Sequence, residues 1–230
     1  MTTLVLLPGL DGTGSLFQPL LRELPAGWRT RVVAYPMDAR ADYVVLTRLA
    51  AEALPADGPL VVLGESFSGP VAIRLAAALG PRLRALILCC SFARSPRPAL
   101  SRLGRLLPWL PPPGLVPAWL SERVLLGGGP SDEARVLLAE ALAQLPAAVL
   151  RARLRMVMAV DVSEELAAVR APVLYLQAGQ DRVVPPAAAV HVRRACPQVV
   201  ITRIDGPHGL LQAAPGRCVA AMTSFLAPLH

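Results

Sequence analysis

The sequence predicts an α/β fold: a mostly parallel six-stranded sheet with helices on both faces and one inserted helical lid. Three observations lead there. Short apolar runs alternate with stretches whose apolar residues recur at helical spacing, and strands alternating with helices imply a parallel sheet covered on both faces. The chain has 230 residues and is 54% hydrophobic, enough to bury the core of one domain. The alternation stops near residue 93 and resumes after 165, so residues 1–92 and 166–230 read as one core and 93–165 as an inserted lid.

The elements follow in order. Thr3 to Leu7 is an apolar run and reads as the first strand. The glycine-dense turn Pro8-Gly9-Leu10-Asp11-Gly12-Thr13-Gly14 follows it, and Asp11 is expected to stabilise that turn. Leu16, Phe17, Leu20, Leu21 and Leu24 then keep helical spacing. Arg31 to Tyr35 reads as a second strand stopped by Pro36, and Asp42 as the cap of a helix running to about Leu54. The run Leu60-Val61-Val62-Leu63 enters Gly64, and a helix from about Ser68 to Leu79 ends at Gly80-Pro81. Leu83 to Cys90 is another buried strand. Within the insertion, helical stretches lie near 131–145 and 146–160. Pro172 to Ala178 and Gln198 to Ile204 read as strands, and Pro186 to Ala195 and Ala213 to Leu226 as helices.

Composition narrows the class. No apolar run reaches the roughly eighteen residues that a membrane span needs. The N-terminus lacks a charged region followed by a cleavable apolar stretch, so no signal peptide is expected and a cytoplasmic location is. Cys89 and Cys90 are adjacent in a strand and should point to opposite faces, so reduced, buried thiols are expected in place of a disulfide. The net charge is +7, yet all 23 basic residues are arginine, scattered and without interleaved aromatics, which speaks against nucleic-acid binding. No Cys, His and carboxylate cluster has metal-ligand spacing, and no phosphate-binding glycine motif has a partner lysine, so neither metal nor cofactor is expected.

The chemistry gathers around Gly64-Glu65-Ser66-Phe67-Ser68-Gly69, a G-x-S-x-G pattern in a strand–turn–helix context. Such a turn places the Ser66 hydroxyl at its tip, with glycines where a Cβ would collide. Three more features sit just past strand ends: Leu10 in the glycine turn, Asp181 in Gly179-Gln180-Asp181-Arg182-Val183-Val184-Pro185, and His208 in Gly206-Pro207-His208-Gly209. In a parallel sheet all carboxyl ends lie along one edge, where ligand sites form. Of the three histidines, His230 is terminal and His191 lies within a helical pattern, which leaves His208 as the base. Asp205 competes with Asp181 as the acid, but its closeness to His208 in sequence makes the far ring nitrogen awkward to reach, so Asp181 is preferred. Glu65 reads as a packing or hydrogen-bonding residue of the elbow.

G-E-S-F-S-G, the G-x-D-x-x-V-P segment around Asp181 and the late G-x-H-G resemble the functional positions of α/β-hydrolases, and the resemblance covers nearly the whole chain. It implies a compact α/β-hydrolase fold. There are two departures: Pro8-Gly9 stands where many members have His-Gly, and the two leading strands common in the family are absent, which implies a trimmed sheet.

The residue types then give a mechanism. A serine hydroxyl needs a neutral imidazole to take its proton, and a carboxylate fixes the tautomer of that imidazole. The backbone N–H groups of Leu10 and Phe67 are expected to hold the developing oxyanion. A serine nucleophile disfavours the family members that use aspartate there, so a carboxylic ester hydrolase acting on a small-molecule acyl ester is expected. A thioesterase, an acyl-carrier esterase of the pimeloyl-carrier methyl ester type or an acyltransferase is the enzymatic alternative, and a catalytically silent ligand-binding relative the other. The apolar groups of the insertion are expected to line an acyl pocket above Ser66, with Phe92, Trp109 and Trp119 as candidate walls. Nine arginines there (94, 97, 102, 105, 123, 135, 151, 153 and 155) face four acids through residue 160, a surplus of five charges that an acidic acyl carrier, either a carrier protein or coenzyme A, could use for docking.

Overall fold

The computed structural model of the protein describes residues 2–98, 116–128 and 131–229. Six strands, β1 (Thr3–Leu7), β2 (Arg29–Val32), β3 (Leu60–Glu65), β4 (Leu83–Cys89), β5 (Val173–Ala178) and β6 (Val200–Ile204), form one sheet in the order β2-β1-β3-β4-β5-β6. All five pairings are parallel. The α/β architecture expected from the sequence is therefore the one observed.

The central strands are apolar on both faces because both faces are covered. Val5, Leu7, Val62, Leu86, Leu88 and Tyr175 enter one core, under α2 (Tyr43–Glu52), α3 (Gly69–Leu79) and α8 (Ala187–Ala195). Leu4, Leu6, Leu63, Ile87 and Leu174 enter the other, under α1 (Gln18–Glu23), α9 (Leu210–Ala213) and α10 (Pro215–Leu226). The helix after β1 thus lies on one face and the helix before β3 on the other, while β1 and β3 are neighbours. That reversal puts the switch point of the sheet at the carboxyl ends of β1 and β3, the place where open α/β sheets bind ligands. The glycine turn and the serine elbow are the two loops that border it.

Three local expectations shift. The second strand was expected over residues 31–35; it pairs with β1 over Arg29–Val32, so two arginines and a threonine stand in an edge strand where water solvates them. Residues beyond it stay extended but change partners: Val33 N–H donates to Leu6 O at 3.0 Å and Tyr35 N–H to Gly12 O at 2.8 Å, tying this strand end to the glycine turn. The last helix is broken in two, because Pro215 has no N–H to continue the ladder and instead opens α10. The two adjacent cysteines do not point apart: Cys90, the residue just past β4, takes φ 48°, which turns both thiols into the same core, 3.9 Å from each other and both free.

Between β4 and β5 lie α4 (Ala118–Leu125), α5 (Asp132–Ala143), α6 (Ala147–Ala159) and α7 (Ser163–Ala168). α5 and α6 match the two helical stretches read from the sequence, and the Ser131 side chain caps α5 by accepting from Ala134 N–H. The boundary expected at residue 165 falls inside α7, whose Leu166 is buried in the same core as α3 and α8. Trp109, Arg102 and Arg105 lie outside the described residues. Among those described, no helix is long and apolar enough to cross a membrane.

Candidate active site

The elbow forms because β3 runs straight into a tight 3-10 turn, Ser66–Ser68, and then α3. Ser66 takes φ 47°, the left-handed region, at a cost of order 1–3 kcal/mol for a non-glycine residue. A Cβ on Gly64 would stand 2.7 Å from Ala72 Cβ and 2.8 Å from Ser68 O, and one on Gly69 would collide with Ser91 Oγ. Only glycines let α3 fold back this closely over β3. Ser91 props the turn from the next strand: its hydroxyl donates to Ser66 O at 2.5 Å, and Tyr175 OH donates to Ser91 O at 2.6 Å. Ser91 carried no signal in the sequence, since its role depends on the left-handed Cys90 before it.

Three loops past strand ends deliver the polar groups. Ser66 Oγ is 2.8 Å from His208 Nε2. His208 Nδ1 is 2.9 Å from each Asp181 carboxylate oxygen. Asp181 Oδ1 also accepts from the Val183 and Val184 N–H groups, both at 2.8 Å, which fixes the carboxylate in its loop. The His208 and Asp181 side chains are only 8% and 6% exposed, so water competes weakly for these bonds. A proton on Nδ1 faces the carboxylate, and the Nε2 lone pair then faces the serine hydroxyl. The rival acid, Asp205, is turned elsewhere and accepts from Gln180 Nε2 at 3.0 Å.

The glycine turn is closed by Gly12 N–H donating to Gly9 O at 3.1 Å, and Asp11 accepts from Thr13 N–H and hydroxyl at 2.8 and 2.6 Å. It is tied to the elbow as well. The Ser68 hydroxyl donates to Pro8 O and is 2.7 Å from Tyr35 OH. Tyr43 OH donates to Phe67 O at 3.1 Å, and the Tyr43 ring stacks on Phe67 with centroids 5.0 Å apart. Leu10 and Phe67 thus sit on two segments held to each other.

Arg153 was counted among the arginines of 93–165 that an acidic carrier could use for docking; it is instead 2% exposed, with its guanidinium against the glycine turn. The signal was present in the spacing. Val149, Ala152 and Arg153 are the buried residues of α6, and Met156 and Val157 pack on the core, so Arg153 lies on the apolar stripe. The segment between β4 and β5 touches the other side of the site too: Leu125 O accepts from Gly209 N–H at 2.6 Å, directly after His208. Of the candidate pocket walls, Phe92 is buried beside α3, whereas Trp119 is 64% exposed on α4. A cavity of about 420 Å³ lined by Thr2, Leu4, Trp28, Val61 and Arg84 lies at the opposite, amino edge of the sheet and holds none of these groups.

Glu65 is buried under this cluster. Its Oε1 accepts from Gln212 Nε2 at 3.0 Å, and Oε2 has no partner among the described groups. Burial pushes its carboxyl up to about 7, the Gln212 bond opposing and the Asp11 charge assisting. Between the ordinary 4.5 and about 7 the folded state therefore holds a proton that the unfolded chain has released, so stability falls as pH rises through that window and is level above it. Glu65→Gln should flatten the fall, which amounts to roughly 3 kcal/mol at 1.36 kcal/mol per pH unit. Urea unfolding of both proteins from about pH 5 to 8 measures it; parallel curves would show that another group ionises there.

One described group has mixed metal-ligand chemistry: the ligand atoms of Cys90, Asp181 and His208 lie within 4.8 Å of one another. Its aspartate and imidazole are already joined by the bonds given above.

The sequence model of the Alpha/beta hydrolase family matches residues 4–221 of the chain. A pimeloyl-[acyl-carrier protein] methyl ester esterase of Neisseria meningitidis serogroup B is 36% identical over 93 residues, a stretch covering 39% of this chain and 36% of that protein. The fold is shared with a hydrolase from Oleispira antarctica (TM-score 0.79, 16% identity, 98% of this chain and 90% of that one). It is also shared with a thermophilic esterase from Thermogutta terrifontis (TM-score 0.78, 22% identity, 100% and 90%) and an enol-lactonase from Burkholderia xenovorans (TM-score 0.76, 17% identity, 98% and 91%).

Proposed function

The chain belongs to the alpha/beta hydrolase family, and on that footing we propose that it is a serine hydrolase cleaving a carboxylic ester with an apolar acyl group through an acyl-serine intermediate. The observation that carries the reading is the continuous Ser66–His208–Asp181 chain of contacts at 2.8 and 2.9 Å. Ser66 Oγ attacks the ester carbonyl carbon as its proton passes to His208 Nε2, and Asp181 stabilises the resulting imidazolium. The tetrahedral oxyanion is held by the Leu10 and Phe67 N–H groups. Its collapse breaks the bond to the alcohol oxygen, which leaves with the proton from Nε2. Water then attacks the acyl-serine, giving its proton to Nε2, and the acid departs as Ser66 regains a hydrogen.

In this reading the insertion is the lid. Support comes from its contacts on both flanks of Ser66, through Arg153 to the turn and through Leu125 to Gly209. Phe92, the second residue after Cys90, is the described candidate for the acyl-pocket wall, its carbonyl lying beside Gly69 of the elbow; Trp109 lies outside the described residues, and the exposure of Trp119 removes the packing argument for it.

The test is a panel of esters of graded acyl length with matching thioesters. We expect kcat/KM to favour longer acyl chains and oxygen esters. Thioesters hydrolysed faster than esters would make the protein a thioesterase, and no turnover anywhere in the panel would make it a silent relative. The partial match to the pimeloyl-carrier esterase favours one second reading, an ester carried on an acidic acyl carrier. The exposed Arg94, Arg123 and Arg155 of the insertion fit such a docking face, and turnover of the carrier-bound ester alone should then weaken as salt is added.

A further inference from the structure

We propose that Arg153 is a positioning residue: it is the contact through which the inserted segment sets the oxyanion turn for the transition state. The proposal rests on the ester-hydrolase reading above and goes beyond it.

Arg153 is an anomaly for a residue placed only to pack. Burying a guanidinium costs free energy unless its donors are matched, and an apolar side chain of similar volume often serves better where packing alone is needed. No carboxylate lies within ion-pair distance of it among the described residues. Its donors go to backbone oxygens instead. Nη1 donates to Leu10 O at 2.7 Å and to Asp11 O at 2.8 Å, and Nη2 donates to Pro36 O at 3.0 Å. Its carbon centre lies 5.8 Å from the Phe67 ring and 6.0 Å from the Tyr35 ring, within the range of a cation–π contact. The turn is shaped to receive it: Gly12 has φ 75°, and a Cβ there would come within 2.5 Å of Nη1.

These contacts converge on the two residues whose amides are needed. Holding the Leu10 and Asp11 carbonyls fixes the rotation of the peptides that flank Asp11. The Leu10 N–H is one Cα away from the first of them and loses its freedom to swing from the nucleophile. The same cation lies against the side chain of Phe67, which supplies the second N–H. The planar fork holds its donors in fixed directions toward the three carbonyls, whereas an ammonium is a compact point charge on a flexible stem, so lysine is not an equivalent here. The guanidinium keeps its charge across the working pH range, so the contact does not switch with pH.

Loss of one oxyanion donor lowers kcat by about 10²–10³-fold; a donor displaced but still present should lose less, about 10- to 100-fold. We expect Arg153→Met and Arg153→Lys each to lower kcat by that factor, with KM changed less than about twofold. The affinity of a boronic acid, which becomes tetrahedral on Ser66, should fall in parallel, while that of the planar product acid should hold. In Arg153→Ala, millimolar guanidinium chloride should restore part of kcat and ammonium chloride should not. A merely structural role would lower thermal stability without this split between tetrahedral and planar ligands. Folded variants with kcat within about twofold of wild type, or with boronate affinity unchanged while kcat falls, overturn the proposal. If Arg153→Met does not fold, Arg153→Lys alone decides by the same criteria. Wild-type protein that neither turns over esters nor binds the boronate would overturn the ester reading itself, an outcome distinct from failure of the Arg153 variants.

Discussion

Ser66→Ala should lower kcat/KM for the preferred ester by up to about 10⁶-fold, the scale seen when a serine nucleophile is removed from a working triad. The substitution deletes the elbow-tip oxygen that lies 2.8 Å from His208 Nε2. What survives is attack by water aided by the oxyanion amides and by binding. The fold should survive as well. Ser66 already sits at φ 47°, and alanine meets the same backbone strain, so any loss of stability should stay near 1 kcal/mol. Ser66→Gly relieves that strain and should be equally inactive yet more stable than Ser66→Ala. Steady-state kinetics beside thermal melting of the two variants separates chemistry from folding. A variant with near-normal turnover would mean that Ser66 only shapes the turn.

Asp181→Asn is expected to cost about 10⁴-fold in kcat with the fold intact. Its amide oxygen can keep both bonds from the Val183 and Val184 N–H groups. Its NH₂ then faces His208 Nδ1, which must become the acceptor and leave the ring proton on Nε2. That proton points at Ser66 Oγ, where a lone pair is required. Asp205→Asn disturbs only the bond from Gln180 and should change kcat less than about tenfold. The same two variants under saturating ester decide the matter: a reversed order would transfer the acid role to Asp205 while leaving the serine and histidine where they are.

The sheet was legible because burial on both faces writes itself as short apolar runs, and parallel strands place their carboxyl ends on one edge. That rule brought residues 66, 181 and 208 to a common edge before any geometry was known. The edge strand was misplaced for the same reason in reverse: Arg29, Thr30 and Arg31 face water and leave no apolar signature. α4 was not anticipated: Pro111, Pro112, Pro113 and Pro117 stand just before it and interrupt any helical spacing. Cys90 defeats the alternation rule because a single left-handed residue ends the strand. Arg153 was misread through residue type, since arginine is rarely buried without a carboxylate partner; its position on the stripe of Val149, Ala152 and Met156 held the opposite information. Ser68, Ser91, Tyr35 and Tyr43 bond across long sequence separations, which no local pattern encodes.

The central claim is that Ser66 carries the acyl group. It is tested most directly by mixing the enzyme with an activated ester, quenching within the first turnover, and weighing the protein and its peptides. The account predicts one equivalent of acyl group, located on the peptide bearing Ser66, formed in a burst and absent from Ser66→Ala. Turnover with no covalent species at any time, or an adduct on another residue that persists in Ser66→Ala, would contradict it.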